Sequence, residues 1–209
     1  MSKRIRHHVN PLRLDFFATG AQRVELPADR PVEVELGCAD ARWLFERAKV
    51  DPSLALVGVE IREELVKLVQ RRAQASGLDL RIVFANINQD LETLFAGGRV
   101  ARFVVNFPDP WFKQRQRKRR LVTDDLVRVL WTKLRAGGEV FFQSDVWDLA
   151  LDAMDVFERA DDAFTNVRGA WSFLPRNPFG AQSKRELYCE EDRRPIWRML
   201  YQKKGLSPR

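Results

Sequence analysis

VEVELGCADARWLFERAKVDPSLALVGVE, Val32 to Glu60, reads as a strand, a turn, a helix and a second strand. Val32 to Leu36 alternates apolar side chains with Glu33 and Glu35 and then meets Gly37, so a short strand ends in a turn. From Asp40 to Lys49 the residues Trp43, Leu44 and Ala48 fall at helical spacing, with Asp40 as the expected N-cap. Asp51 and Pro52 break that helix. Leu54 to Glu60 (LALVGVE) is then the continuous apolar run of a parallel strand buried on both faces. Two such strands joined by a crossover helix make the repeating unit of an α/β sheet.

The same alternation continues outward. Glu63 to Ala75 carries Leu65, Leu68 and Val69 at helical spacing and is stopped by Gly77. Strands are predicted at Leu80–Ala85, Ala101–Phe107 and Glu139–Gln143. A helix is predicted over Thr123–Arg135, capped by Thr123, buried through Leu126, Val127, Leu130 and Leu134, and ended by Gly137 and Gly138; another follows over Trp147–Ala160. Short strands at Phe164–Val167 and Ile196–Gln202 flank a loop-like stretch, Ala170 to Gln182. The order predicts a doubly wound, mostly parallel sheet with right-handed crossovers. Residues 1–30 read as a basic, partly flexible extension and 31–209 as a single domain.

Composition narrows the function. A chain of 209 residues with 45% apolar and 31% charged residues has the balance of one globular domain. No apolar run approaches the roughly 20 residues of a membrane span, and the N-terminus lacks a signal-peptide core, so a cytoplasmic protein is expected. Cys38 and Cys189 lack metal-site spacing, and no metal is expected. The only histidines are His7 and His8, which leaves a histidine-based hydrolase engine without its base. The net charge of +7 is concentrated: six of the eight residues Lys113 to Arg120 (KQRQRKRR) are Lys or Arg, and Lys3, Arg4, Arg6 and Arg13 add a second basic segment. Clustered cations suit a phosphate backbone, so a nucleic-acid partner is expected.

Ligands of open α/β sheets bind beyond the carboxyl ends of the strands. Glu35 with Gly37, Glu60, Asn86, Asp109 and Asp145 follow five successive predicted strands. Glu60 has the placement of a ribose-binding acid, which fits a nicotinamide or an S-adenosyl cofactor. The turn Gly37-Cys38-Ala39-Asp40-Ala41 has one glycine and a carboxylate where a dinucleotide site needs a pyrophosphate cradle. A cationic ligand without phosphates suits this acidic rim better.

NFPDPWFKQRQRKRRLV, Asn106 to Val122, resembles the signature of the bacterial tRNA (guanine-N(7)-)-methyltransferases, in which FPDPW is followed by a lysine and a basic run. VELG at Val34–Gly37, VGVE at Val57–Glu60, the pair Ser144–Asp145 and SKRE at Ser183–Glu186 are similar to further motifs of that family. The resemblance implies a seven-stranded, Rossmann-like class I methyltransferase that moves the methyl of S-adenosyl-L-methionine to N7 of a guanine in the tRNA variable loop, as a monomer or homodimer. It implies cofactor binding by Glu35, Gly37, Glu60, Asn86 and Asp109, with Asp109 also catalytic. It implies substrate contacts by Lys113, Asp145, Ser183, Lys184 and Glu186. Arg115, Arg117, Lys118, Arg119 and Arg120 are expected on RNA phosphates, and Trp111 and Phe112 are candidate stacking surfaces for a base. Three positions depart from the family pattern: Ala39 and Ala41 where glycines are usual, Asn86 where aspartate is common, and Arg185 where an aromatic or apolar residue is frequent. An exocyclic-amine RNA methyltransferase, a non-catalytic RNA-binding module and a nicotinamide oxidoreductase remain as alternatives.

Overall fold

The computed structural model describes residues 19–111 and 120–205. The expectations for residues 1–18, Phe112, Lys113, Arg115, Arg117, Lys118 and Arg119 lie outside them. The sheet is built from β1 (Val32–Leu36), β2 (Ala55–Glu60), β3 (Leu80–Phe84), β4 (Val100–Asn106), β5 (Leu134–Ser144), β6 (Phe164–Asn166) and β7 (Trp197–Lys203). Its order is β3-β2-β1-β4-β5-β7-β6, parallel except for β7, which runs antiparallel to β5 and β6. The strand order reverses between β1 and β4, and the crevice above that reversal is where ligands of such sheets bind.

Each face is covered by its own layer. Helices α1 (Arg42–Val50) and α2 (Glu63–Ala75) lie on one face, where Trp43, Leu44, Val69 and Ala73 pack with Leu56, Ile82 and Phe141. Helices α3 (Ile87–Leu94), α4 (Asp124–Lys133) and α5 (Trp147–Arg159) cover the other, where Leu91, Leu130 and Phe157 meet Val34, Val57, Phe103 and Phe142. Past α2's side of the sheet the irregular segment after β6 takes the place of a helix. Its Phe179 stands edge-on to Phe141 at 5.0 Å, under the guanidinium of Arg102. The last helix, α6 (Lys184–Glu191), precedes β7.

Close approach of α1 to the sheet depends on Gly58 in β2. A Cβ there would lie 2.6 Å from the Cys38 Sγ, 2.7 Å from Ile82 Cδ1 and 2.9 Å from Leu44 Cδ1. Lacking a side chain, this residue lets the turn after β1 settle onto β2, where the amides of Gly37 and Cys38 both bond the Val59 carbonyl. From Thr19 onward the chain before β1 is also packed. The Thr19 hydroxyl and amide donate to Asp90, and Val24 is buried with its amide on the Leu94 carbonyl.

Four features differ from the sequence reading. Asp40 does not cap α1; the N-cap is Ala41, with φ 55° and no side-chain bond. Helix α4 is capped by Thr123 as expected but ends at Lys133, because the carbonyls of Thr132 and Lys133 are taken by the amides of Gly98 and Arg99 at the entry to β4. Leu134 therefore opens β5, and Gly137 and Gly138 lie within that strand, where its register against β4 shifts. Helices α3 and α6 were not anticipated. Asn86 caps α3 by accepting from the Asn88 amide, and Ser183 with Glu186 forms a capping box on α6.

Candidate active site

The ends of β3, β2, β1, β4 and β5 present Asn86, Glu60, Glu35, Asp109 and Asp145 along one edge of the sheet. Glu35 lies deepest. Only 3% of its surface is exposed, Asn106 donates to its Oε1 at 2.7 Å, and its Oε2 has no partner. Burial, aided by the charges of Asp40 and Glu60, pushes its carboxyl up to about 8. A buried carboxylate oxygen without a donor, at the switch point of the sheet, is suited to a cation or a hydrogen-bond donor from a ligand.

Asn106 is aimed by a buried chain of side chains. Its Oδ1 accepts from Gln143 Nε2 at 2.8 Å, and the same amide donates to Glu186 at 2.9 Å. Arg198 then donates to the Gln143 Oε1 at 3.1 Å and to Glu186 at 2.9 Å. Because Arg198 can only donate, the Gln143 amide must present its nitrogen to Asn106, which turns the Asn106 nitrogen toward Glu35. None of Asn106, Gln143 or Arg198 was singled out from sequence.

Glu60 is filled by four donors. The Ala39 amide reaches Oε2 and the Arg62 amide reaches Oε1, both at 2.9 Å; the Arg62 guanidinium forks onto both oxygens at 2.8 and 3.0 Å. The turn that supplies the Ala39 amide alternates in hand, with positive φ at Gly37 (76°), Ala39 (49°) and Ala41 (55°). Left-handed alanine costs roughly 1–2 kcal/mol, against about 0.5–1 kcal/mol for the extra freedom of an unfolded glycine. Ala39→Gly is therefore expected to stabilise the chain by about 0.5 kcal/mol, measured by urea unfolding; a loss of stability would contradict the strain.

Asn86 is buried and its side-chain oxygen already serves the α3 cap. Asp109 is exposed between Pro108 and Pro110, and the flanking Phe107 and Trp111 both take positive φ, 49° and 44°. Two strained non-glycine residues around a proline-locked carboxylate mark a turn held for a purpose. Arg120, expected on an RNA phosphate, is engaged within the chain. It is buried, pairs with Asp152 and donates to the Pro110 carbonyl at 3.3 Å, so it clamps this turn to α5. Ser183 and Glu186 are likewise engaged within the chain: the Ser183 hydroxyl caps α6, and Glu186 is fully buried. Lys184 and Arg185 are exposed beside them, and Arg185 pairs with Asp145.

A sheet of this order with an acidic ligand edge and a helix layer on each face is that of a class I methyltransferase. The similarities place it further. Residues 29–199 match the family model described as "Putative methyltransferase". The tRNA (guanine-N(7)-)-methyltransferase of Synechococcus elongatus is 38% identical over 95% of both chains, and that of Synechocystis sp. is 37% identical over 96% of this chain and 97% of its own. The chain belongs to the tRNA (guanine-N(7)-)-methyltransferase family. Among solved structures, the 16S rRNA methyltransferase KamB superposes with a TM-score of 0.59 at 16% identity, covering 87% of this chain and 90% of its own. The geranyl diphosphate C-methyltransferase of Streptomyces coelicolor A3(2) does so at 0.55 and 13%, covering 88% and 74%. These two share the fold.

Among the described residues, no helix is long and apolar enough to cross a membrane.

Proposed function

We propose that the chain transfers the methyl group of S-adenosylmethionine to N7 of a guanine in the tRNA variable loop, in the cytoplasm. The observation that carries this reading is the pairing, across adjacent strands β1 and β4, of the donor-less oxygen of Glu35 with the strained turn that exposes Asp109. The substrate class follows the names of its relatives.

When bound, S-adenosylmethionine supplies a methyl on a positively charged sulfur, already activated for transfer. Glu35, Gly37, Glu60 and Asn86 would hold it, and the acidic edge favours its cationic groups. Guanine N7 carries an in-plane lone pair and no proton, so the chain needs no general base and its task is positioning. Asp109 would accept hydrogen bonds from the Watson–Crick edge of the guanine and offset the positive charge that grows on the ring. Pro108, Pro110 and the Arg120 clamp hold that carboxylate in place. Asp145 with Arg185, Ser183 and Lys184 would border the nucleotide, Glu186 acting from beneath. The basic run from Lys113, with Arg115, Arg117, Lys118 and Arg119, would grip phosphates.

The test is transfer from labelled S-adenosylmethionine to an unmodified tRNA transcript, followed by mild reduction and aniline treatment. Cleavage at one variable-loop guanine is expected. Transfer without cleavage would move the methyl to an exocyclic amine and overturn the N7 assignment. Asp109→Asn is expected to lower kcat about 100-fold, the loss typical when one group stabilising the transition state is removed. Near-full turnover in that variant would remove Asp109 from the chemistry.

A further inference from the structure

Arg62 has no role in the reading above, yet it makes the most extensive contacts with the ribose-binding candidate. Two carboxylate oxygens offer about four lone-pair directions. In Glu60 these are met by two backbone amides and by both arms of the Arg62 guanidinium. Glu60 is 3% exposed, so no further solvent-facing position is left on it. A vicinal ribose diol that is to be recognised by this carboxylate needs the two positions that Arg62 fills, whereas the backbone amides of Ala39 and Arg62 are fixed by the turn and by the start of α2.

We propose that Arg62 is a displaceable occupant of the ribose site, which the cofactor's ribose hydroxyls replace and which then swings outward to add a cation to the RNA-facing side. The proposal rests on Glu60 being a cofactor residue. Displacement is feasible because the Arg62 side chain remains 19% exposed and is anchored by one short loop between β2 and α2. Swung outward from its 19% exposed position, the guanidinium is solvated, avoiding the several kcal/mol cost of leaving a buried ion alone. The exchange also links the two substrates. A cation released toward the RNA side by one ligand raises the affinity for the other, and the gain is reciprocal.

Calorimetric titration of S-adenosylhomocysteine into the full-length chain, Arg62→Ala and Arg62→Lys tests this, together with tRNA affinity measured with and without S-adenosylhomocysteine. Arg62→Ala is expected to bind S-adenosylhomocysteine about fivefold tighter, because the competitor is gone, and to lose the tRNA affinity gain, also about fivefold, that the unchanged chain shows on adding it. Arg62→Lys, which keeps a charge but not the fork, is expected to lie between them and serves if the alanine variant does not fold. Weaker binding in both variants would make Arg62 a direct holder of the ligand and overturn the proposal, as would unchanged affinity. If the unchanged chain binds no S-adenosylhomocysteine, the cofactor reading itself falls and this proposal with it. If it binds normally and only the variants fail to differ, the cofactor reading stands and this proposal alone falls.

Discussion

Affinity for S-adenosylmethionine is expected to rise about tenfold per pH unit from about pH 6 to about pH 8 and then level off, while Glu35→Gln gives a flat profile that meets the unchanged chain at the acid end. The cause is the buried carboxyl of Glu35, lifted to about 8 chiefly by loss of solvent. Below that value the group is a neutral acid, which glutamine imitates; above it, Glu35 offers a charge that a cationic ligand rewards. Stability should move the other way. The folded chain retains a proton that the unfolded chain releases near its ordinary value of 4.5, so this contribution is complete below about pH 4.5 and is lost as the pH rises through about 8. Glu35→Gln should therefore match the unchanged chain in denaturant at acid pH and exceed it at pH 8 and above. Calorimetric titration over this range reads the first effect and urea unfolding the second. A flat affinity profile for the unchanged chain would mean that Glu35 does not meet a cation. The site thus trades stability for binding at one residue, as strained functional groups commonly do.

Much of this site was readable because it lies at strand ends. The alternation VEVEL meeting Gly37 and the continuous apolar run closing on Glu60 fix where β1 and β2 stop, and helical spacing fixed α2 at Glu63–Ala75. Thr123 performs the capping role its position suggested. Helix α6 was legible too, since Ser183 and Glu186 have the S-x-x-E spacing of a capping box; taking that motif as a substrate contact obscured its local role. Asn86 was obscured similarly, as a ligand residue that is also the cap of α3, with Ile87, Leu91 and Leu94 on the buried side of helical spacing. What pattern alone did not supply is the buried chain behind Glu35. Its links join residues 71, 37, 43 and 55 positions apart, and they meet only because β1, β4, β5 and β7 are neighbours in the sheet. Strand order is a property of the whole fold, and no local periodicity carries it. The pairing of Arg120 was hidden for a related reason: a basic run says nothing of which cation is buried against a carboxylate, and Asp152 is on a helix that begins after the next strand.

Glu186→Ala is expected to cost about 3–5 kcal/mol of stability, the usual result of removing one partner of a buried ion pair. The carboxylate is fully buried and accepts from Gln143, from Asn177 at 3.0 Å and from Arg198 at 2.9 Å. Its loss strands the guanidinium of Arg198, itself 6% exposed, with only Glu190 as an acidic partner. Urea unfolding measures the cost, and a change below about 1 kcal/mol would show the network to be replaceable by water. Glu186→Gln separates packing from orientation. It fills the same volume, but an amide must direct a nitrogen toward one of the donors that Glu186 now accepts, and Arg198 and Gln143 cannot both be satisfied as before. The disturbance passes through Gln143 to Asn106, whose donor is what draws Glu35 below the value burial alone would set. In Glu186→Gln the pH at which cofactor affinity levels off should therefore move upward, although Glu186 is fully buried and makes no direct bond to Glu35. A profile that keeps its midpoint while stability falls would confine Glu186 to holding α6 and β7 together. A shifted midpoint would establish that the SKRE segment and the Glu35 pocket are one hydrogen-bonded unit, so that disturbance at α6 is felt at the Glu35 carboxylate.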